Sequence, residues 1–184
     1  DAGGRLPRNA NTNSSSQMDR AISEANSQGR KYSSTYNRED YPHWLDVDGN
    51  CQNTRQDLLQ QRSSVPVTFT NSRRCTVKTG KWYDPYSGNT YTLASDIDVD
   101  HIVSLAYSFP RGSKNWTRAQ KAAFANDPEN LLLVDDGINQ VKSAKGPTEW
   151  MPPRQEYRCE FLGRFDYIMK KYNLTYFAKE KRVI

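Results

Sequence analysis

Two brief apolar stretches constrain the fold of this chain more than any other feature. They are Ile97-Asp98-Val99-Asp100-His101-Ile102-Val103 and Asn130-Leu131-Leu132-Leu133-Val134. The first alternates apolar and polar residues, as a strand with one buried face does; the second is a continuous apolar run of strand length. The 28 residues between His101 and Asn130 are too many for a tight hairpin. They include Trp116-Thr117-Arg118-Ala119-Gln120 followed by an Ala-rich run, where Thr117 and Gln120 fit a capping box and Asp127-Pro128 a stop. The insert must therefore form its own helix beside the strands. Directly after the second strand, DDGINQVKSAKGP starts acidic and ends at Gly146 with Pro147 beyond, the grammar of a compact helix.

Elsewhere the local signals are shorter. Tyr157, Phe161, Phe165, Ile168 and Tyr172 recur at steps of 4, 4, 3 and 4, which predicts an amphipathic helix packed on the core. Thr54 reads as the N-cap of a helix over RQDLLQQR, and VPVTFT as a short edge strand. The segment CTVKTGKWYDPYSGNTYTL predicts paired short strands with turns at Thr79-Gly80 and Ser87-Gly88-Asn89. Residues 17–28 suit a short helix ending at Gly29, and the Asn/Ser-rich residues 1–16 a flexible lead, the start of a mature or trimmed chain. With 184 residues and no internal repeat or linker, the expectation is one α+β domain over 17–184, its core motif at about 96–146.

Composition narrows the function. Hydrophobic residues make up 35% of the chain and mean hydropathy is −0.92, and no stretch approaches the ~18 apolar residues of a membrane helix. Residues 1–100 carry 12 basic and 12 acidic side chains, while residues 101–184 carry 14 and 9, so the net charge of +5 lies wholly in the second part. A basic surface attracts polyanions. Three cysteines, Cys51, Cys75 and Cys159, allow one internal disulfide with any pairing, and the absence of a CxxC argues against structural zinc.

The chemistry-bearing residues lie in Asp98-Val99-Asp100-His101, Asn130 and Asn139. Phosphodiester hydrolysis needs a base to deprotonate water, a cation to neutralise charge on the phosphorane and leaving oxygen, and a group to hold the base. His101 suits the base. Asp100 and Asn139 suit a hard cation such as Mg²⁺ or Mn²⁺. Asn130 can brace the backbone or the imidazole. Neighbouring strand residues point to opposite faces, so a strand end, bulge or bend is predicted near His101 to bring both groups to one site. Arg55, Arg118, Lys142 and Lys145 are candidate substrate contacts, with Arg111, Lys114 and Lys121 as a basic flank. His43, between Pro42 and Trp44, reads as structural. Asp46-Val47-Asp48-Gly49-Asn50 lacks the Gly and Glu positions of an EF-hand.

DVDHIV, ANDPENLLLV and INQVKSAKGPTEWMPP together resemble the HNH, or ββα-metal, nuclease motif, over about Trp44 to Tyr172. The resemblance is closest to a branch of secreted bacterial HNH nucleases, in the DPYSG turn, the FANDP element, the Asn-x-x-Lys helix and the WMPP tail. It implies His101 as general base, Asn130 as orienting residue, and Asp100 and Asn139 as ligands of one divalent cation, with Asn139 standing where many members carry His. It further implies a monomeric, non-specific endonuclease on DNA, with RNA as a second substrate, leaving 5′-phosphate and 3′-hydroxyl ends. No membrane association is expected. The compartment expected is extracellular, with the periplasm second. The competing readings are a non-catalytic basic nucleic-acid-binding module and the nuclease part of an intracellular defence or toxin system.

Overall fold

The computed structural model describes residues 36–184. The expected lead over 1–16 and helix over 17–28 lie outside the described residues. Helix α1 (Thr54–Arg62) is capped by Asn53, whose side chain accepts from the Gln56 amide; Thr54, predicted as the cap, is the first helical residue. Strands β1 (Thr68–Phe69), β2 (Val77–Tyr83) and β3 (Thr90–Leu93) follow as an antiparallel sheet in the order β1-β2-β3.

The predicted turn at Thr79-Gly80 does not form, because β2 runs straight through it with a shift of register between Thr79 and Trp82. Gly80 is there because the Trp82 indole folds back on it: a Cβ would sit 2.6 Å from Trp82 Cζ2. The Ser87-Gly88 turn does form, with Gly88 at φ +79° and its amide donating to the Asp84 carbonyl.

Next come β4 (Ile97–His101), the short helix α2 (Leu105–Ser108), α3 (Arg118–Ala125), β5 (Leu131–Asp135), α4 (Asp136–Lys142), α5 (Arg158–Lys171) and α6 (Ala178–Lys181). Helix α3 has the capping box read from Thr117 and Gln120. Asp135 caps α4 by accepting from the Ile138 amide, which joins strand to helix with no loop between. Helix α4 stops at Lys142, before the expected Gly146, because Ser143 turns to φ 49°.

Strands β4 and β5 form a two-stranded antiparallel ribbon with an unbroken register, from Ile97 opposite Asp135 to His101 opposite Leu131. Residues opposite one another share a face. Leu132 and Val134 enter one core cluster with Tyr86, Phe124, Phe161 and Phe165. Ile97, Val99, Leu131 and Leu133 enter the other with Leu59 and Trp82. The periodic stripe of α5 packs as its spacing requires: Tyr157, Phe161, Phe165 and Ile168 are buried, each contributing roughly 1.5–3 kcal/mol. Asp100 is thereby directed to the first cluster and His101 to the second.

Cys51 and Cys75 form the disulfide, and Cys159 is exposed and free. The bridge fastens the loop before α1 to the turn before β2. A closed loop of 24 residues implies a stabilisation of about 3 kcal/mol. Titration of the unreduced protein should find one thiol, and reduction should lower the urea midpoint accordingly. Three free thiols would contradict this pairing.

Candidate active site

Two adjoining hollows, of about 320 and 260 Å³, share Arg38, Val99 and Asn139. One is also lined by Asp100 and His101, the other by Trp44, Arg55 and Asp98. Four consecutive residues, Asp98 to His101, open on this groove although their side chains alternate between faces. That is geometrically possible only along the unpaired edge of β4. Of the strand end, bulge or bend predicted near His101, the strand end is what forms: β4 stops at His101, and the ladder shows no shift up to that residue. The free edge of this strand faces the groove.

His101 is held on two sides. Its Nε2 lies 2.8 Å from the Ala125 carbonyl oxygen at the end of α3. A carbonyl only accepts, so Nε2 carries the hydrogen. The ring also stacks on Trp44, with centroids 5.5 Å apart and planes at 11°. Nδ1 therefore bears the lone pair, and it has no protein partner among the described residues. Burial lowers the imidazole pKa to about 3, with smaller contributions from the charges of Arg38 and Lys142. The ring is consequently neutral over the physiological range, able to accept a proton at Nδ1.

Asp100 is buried, 4% exposed. Its Oδ1 accepts from Lys142 Nζ at 3.0 Å and its Oδ2 from the Tyr86 hydroxyl at 2.6 Å. Burial raises its pKa, and the Lys142 ammonium acts against that rise. Lys142, expected to meet the substrate, is fully buried and also donates to the His101 carbonyl at 2.8 Å. Lys142 shares a helical face with Asn139 as the spacing requires, but that face looks at the ribbon instead of the solvent. Lys142 neutralises Asp100 and pins the strand end.

Asn130 is also fully buried. Its Oδ1 accepts from the Val103 amide, its Nδ2 donates to the Val103 carbonyl, and its own carbonyl accepts from the Ile102 amide. These bonds brace the chain immediately after His101. Asn139 donates from Nδ2 to Asp98 Oδ2 at 3.3 Å, and its Oδ1 has no partner among the described residues.

Arg55 lines the groove, with one guanidinium nitrogen donating to the Ala94 carbonyl. Arg118 and Lys145 line neither hollow; Lys145, just beyond α4, donates to the Val141 carbonyl in the last turn of that helix. Arg111 and Lys121 do not form a basic flank. Arg111 is buried in an ion pair with Glu180 between the rings of Tyr107 and Phe177, and Lys121 is buried over the Tyr41 ring. His43 accepts from Arg38 and touches the Tyr41 carbonyl, in keeping with a structural role.

The sequence reading missed Arg38, Trp44, Tyr86 and Asn126. Asn126 fastens the upstream segment to the end of α3. Its Nδ2 donates to the Pro42 carbonyl, while its Oδ1 accepts from the Leu45 amide and the Thr54 hydroxyl. The same amide thus positions Trp44 and stands next to the carbonyl that holds His101. The DPYSG stretch was visible only as a turn; that its tyrosine reaches Asp100, 14 residues away, has no local signal.

No three His, Cys, Asp or Glu among the described residues make a metal cluster. Asn139 Oδ1, without a partner among the described residues, and the carboxylates of Asp98 and Asp100 are the hard oxygen donors along this groove that could hold a divalent cation. Because Lys142 and Tyr86 already engage Asp100, such an ion would need water and substrate phosphate to complete its shell and balance its charge.

Comparison with known proteins adds three findings. The family described as "GmrSD restriction endonucleases, C-terminal domain" matches residues 52–184. A protein of Arthroderma benhamiae, named "Uncharacterized secreted protein", is 38% identical over 151 residues, covering 81% of this chain and 72% of the relative. No solved structure matches.

The buried imidazole has a consequence for stability. Unfolding exposes His101, whose ordinary pKa is near 6.5, so the unfolded chain binds more protons between pH 6.5 and about 3. The stabilisation is complete above that window and is lost as pH falls through it. Urea unfolding in EDTA should show this decline, and His101→Gln should make it shallower. Identical slopes in the two proteins would contradict the burial argument.

Proposed function

Since the chain belongs to the family of GmrSD restriction endonuclease C-terminal domains, a nuclease family, we propose that it is a divalent-metal-dependent, non-specific endonuclease. One observation carries the proposal: His101, its Nε2 held by the Ala125 carbonyl, lines a groove that the guanidinium groups of Arg38 and Arg55 also line. In this reading Arg38 and Arg55 bind the scissile phosphate. His101 takes a proton from water at Nδ1, and that water attacks phosphorus. Ala125 and Trp44 keep the ring from turning while it does so. Burial depresses the basicity of His101, and the phosphate anion acts in the opposite direction, bringing the base toward the working pH.

Asp100 and Asn139 are the proposed cation ligands, with Asp98 nearby. A bound Mg²⁺, or Mn²⁺ in its place, would offset negative charge on the phosphate and the departing 3′ oxygen. Lys142 opposes the protonation that burial favours at Asp100, and Asn130 fixes the backbone that carries His101. The products are a 5′-phosphate and a 3′-hydroxyl, as in the HNH nucleases that the motif resembles. DNA is the proposed substrate and RNA the second. No helix or finger built to read base edges was found in the sequence, which supports low sequence specificity.

We place the protein in the secreted HNH branch and in an oxidising compartment. The Cys51–Cys75 bridge and the description of the Arthroderma benhamiae relative as a secreted protein support this. Among the described residues, no helix is long and apolar enough to cross a membrane.

Plasmid DNA provides the test. With Mg²⁺ the protein should degrade it, and with EDTA it should not. His101→Ala should reduce the rate by roughly 10²–10⁴-fold, the usual contribution of a general base. Asn139→Ala should raise the Mg²⁺ requirement without unfolding the protein. Cleavage by His101→Ala at the native rate would refute the assignment.

A further inference from the structure

The excess positive charge of this chain is not in the catalytic groove. Arg38 and Arg55, which line it, belong to the charge-balanced first hundred residues. In the basic part of the chain several cations are already matched: Arg111 by Glu180, Lys142 by Asp100, and Lys171 by Asp127 and Glu129. Among the described residues Arg164 makes no ion pair of this kind, although it also lines a neighbouring hollow with Glu129 and Glu160. Its guanidinium donates to the Tyr157 hydroxyl at 3.3 Å.

Arg164 lies in a separate hollow of about 390 Å³, with Leu132, Leu133 and Pro85 as its apolar lining and Arg62 and Tyr83 beside them. Leu132 and Leu133 are consecutive on β5 and point to opposite faces. Their joint presence therefore puts the hollow along the outer edge of β5, away from the β4 edge that carries the groove. No carboxylate lines it. Arg62 is anchored there by hydrogen bonds to the Leu131 and Pro128 carbonyls. Burial lowers its pKa, and the nearby charge of Arg164 lowers it further. Tyr83 is 55% exposed, and the Arg154 guanidinium lies 5.7 Å from its ring centroid. Two fixed cations on a concave wall repel one another until an anion enters between them. An exposed ring at the rim offers a face on which a base can stack.

We propose that this hollow is a second nucleic-acid contact, taking a backbone phosphate between Arg62 and Arg164 and a base against Tyr83. It relies on the nuclease reading only for the identity of its ligand. A strand bound on the β5 edge is held apart from the bond being cut on the β4 edge. Long substrates feel this contact and small phosphodiesters do not.

The test is fluorescence anisotropy with labelled oligothymidylate in EDTA, over a series of salt concentrations. Tyr83→Ala should weaken binding about tenfold, the scale of one lost base stack. Arg164→Glu should weaken it and flatten the salt dependence by about one unit of slope. Both variants should hydrolyse a small chromogenic phosphodiester with Mg²⁺ at the native rate, which also shows that they fold. Native affinity and slope in both variants would overturn the proposal. So would equal, Arg164-dependent binding of polyglutamate with no effect of Tyr83→Ala, which would make the hollow a general polyanion site. Failure of the native protein to cleave plasmid DNA would count against the nuclease reading and leave the binding test standing.

Discussion

The hydrogen bond from His101 Nε2 to the Ala125 carbonyl is the contact on which the site depends. It crosses from the end of the ribbon to the end of α3 and fixes which ring nitrogen carries hydrogen. A neutral imidazole has one donor and one acceptor. Giving the donor to a backbone carbonyl leaves the acceptor for chemistry. The Trp44 ring lies parallel to the imidazole and prevents it from tilting. Burial then keeps the ring neutral, so geometry and electrostatics favour the same protonation state.

Around that contact the polar groups are matched in pairs. A carboxylate as deeply buried as that of Asp100 would be costly alone; Lys142 and Tyr86 each take one of its oxygens. Lys142 in turn reaches the His101 carbonyl, and Asn130 closes on Val103. Charge neutralisation and backbone bracing therefore converge on the same few residues at the end of β4. Asn126 extends the network to the segment holding Trp44, which the Cys51–Cys75 bridge secures from its other end.

Much of this was legible because its signals are local. Alternation in Ile97–His101, the capping box at Thr117 and the spacing of Phe161, Phe165 and Ile168 each depend on near neighbours in sequence, and each formed. What failed depends on tertiary context. Helical phase puts Lys142 on the face of Asn139 but does not say whether that face looks inward. Gly80 permits a turn and equally permits the close approach of Trp82, and only packing decides. Arg38 and Trp44 come from an irregular stretch with no periodicity, and they reach the groove through Asn126, 82 residues beyond Trp44. The cysteine count left the pairing open until Cys51 and Cys75 were brought together.

The tautomer and protonation state of His101 can be observed directly by ¹⁵N NMR of the labelled imidazole in the metal-free protein. A hydrogen-bearing Nε2 and a bare Nδ1, both unchanged as pH is lowered from 8 to about 5, would agree with a pKa near 3. A hydrogen on Nδ1, or titration near the ordinary histidine value, would contradict the account of how this site supplies its base.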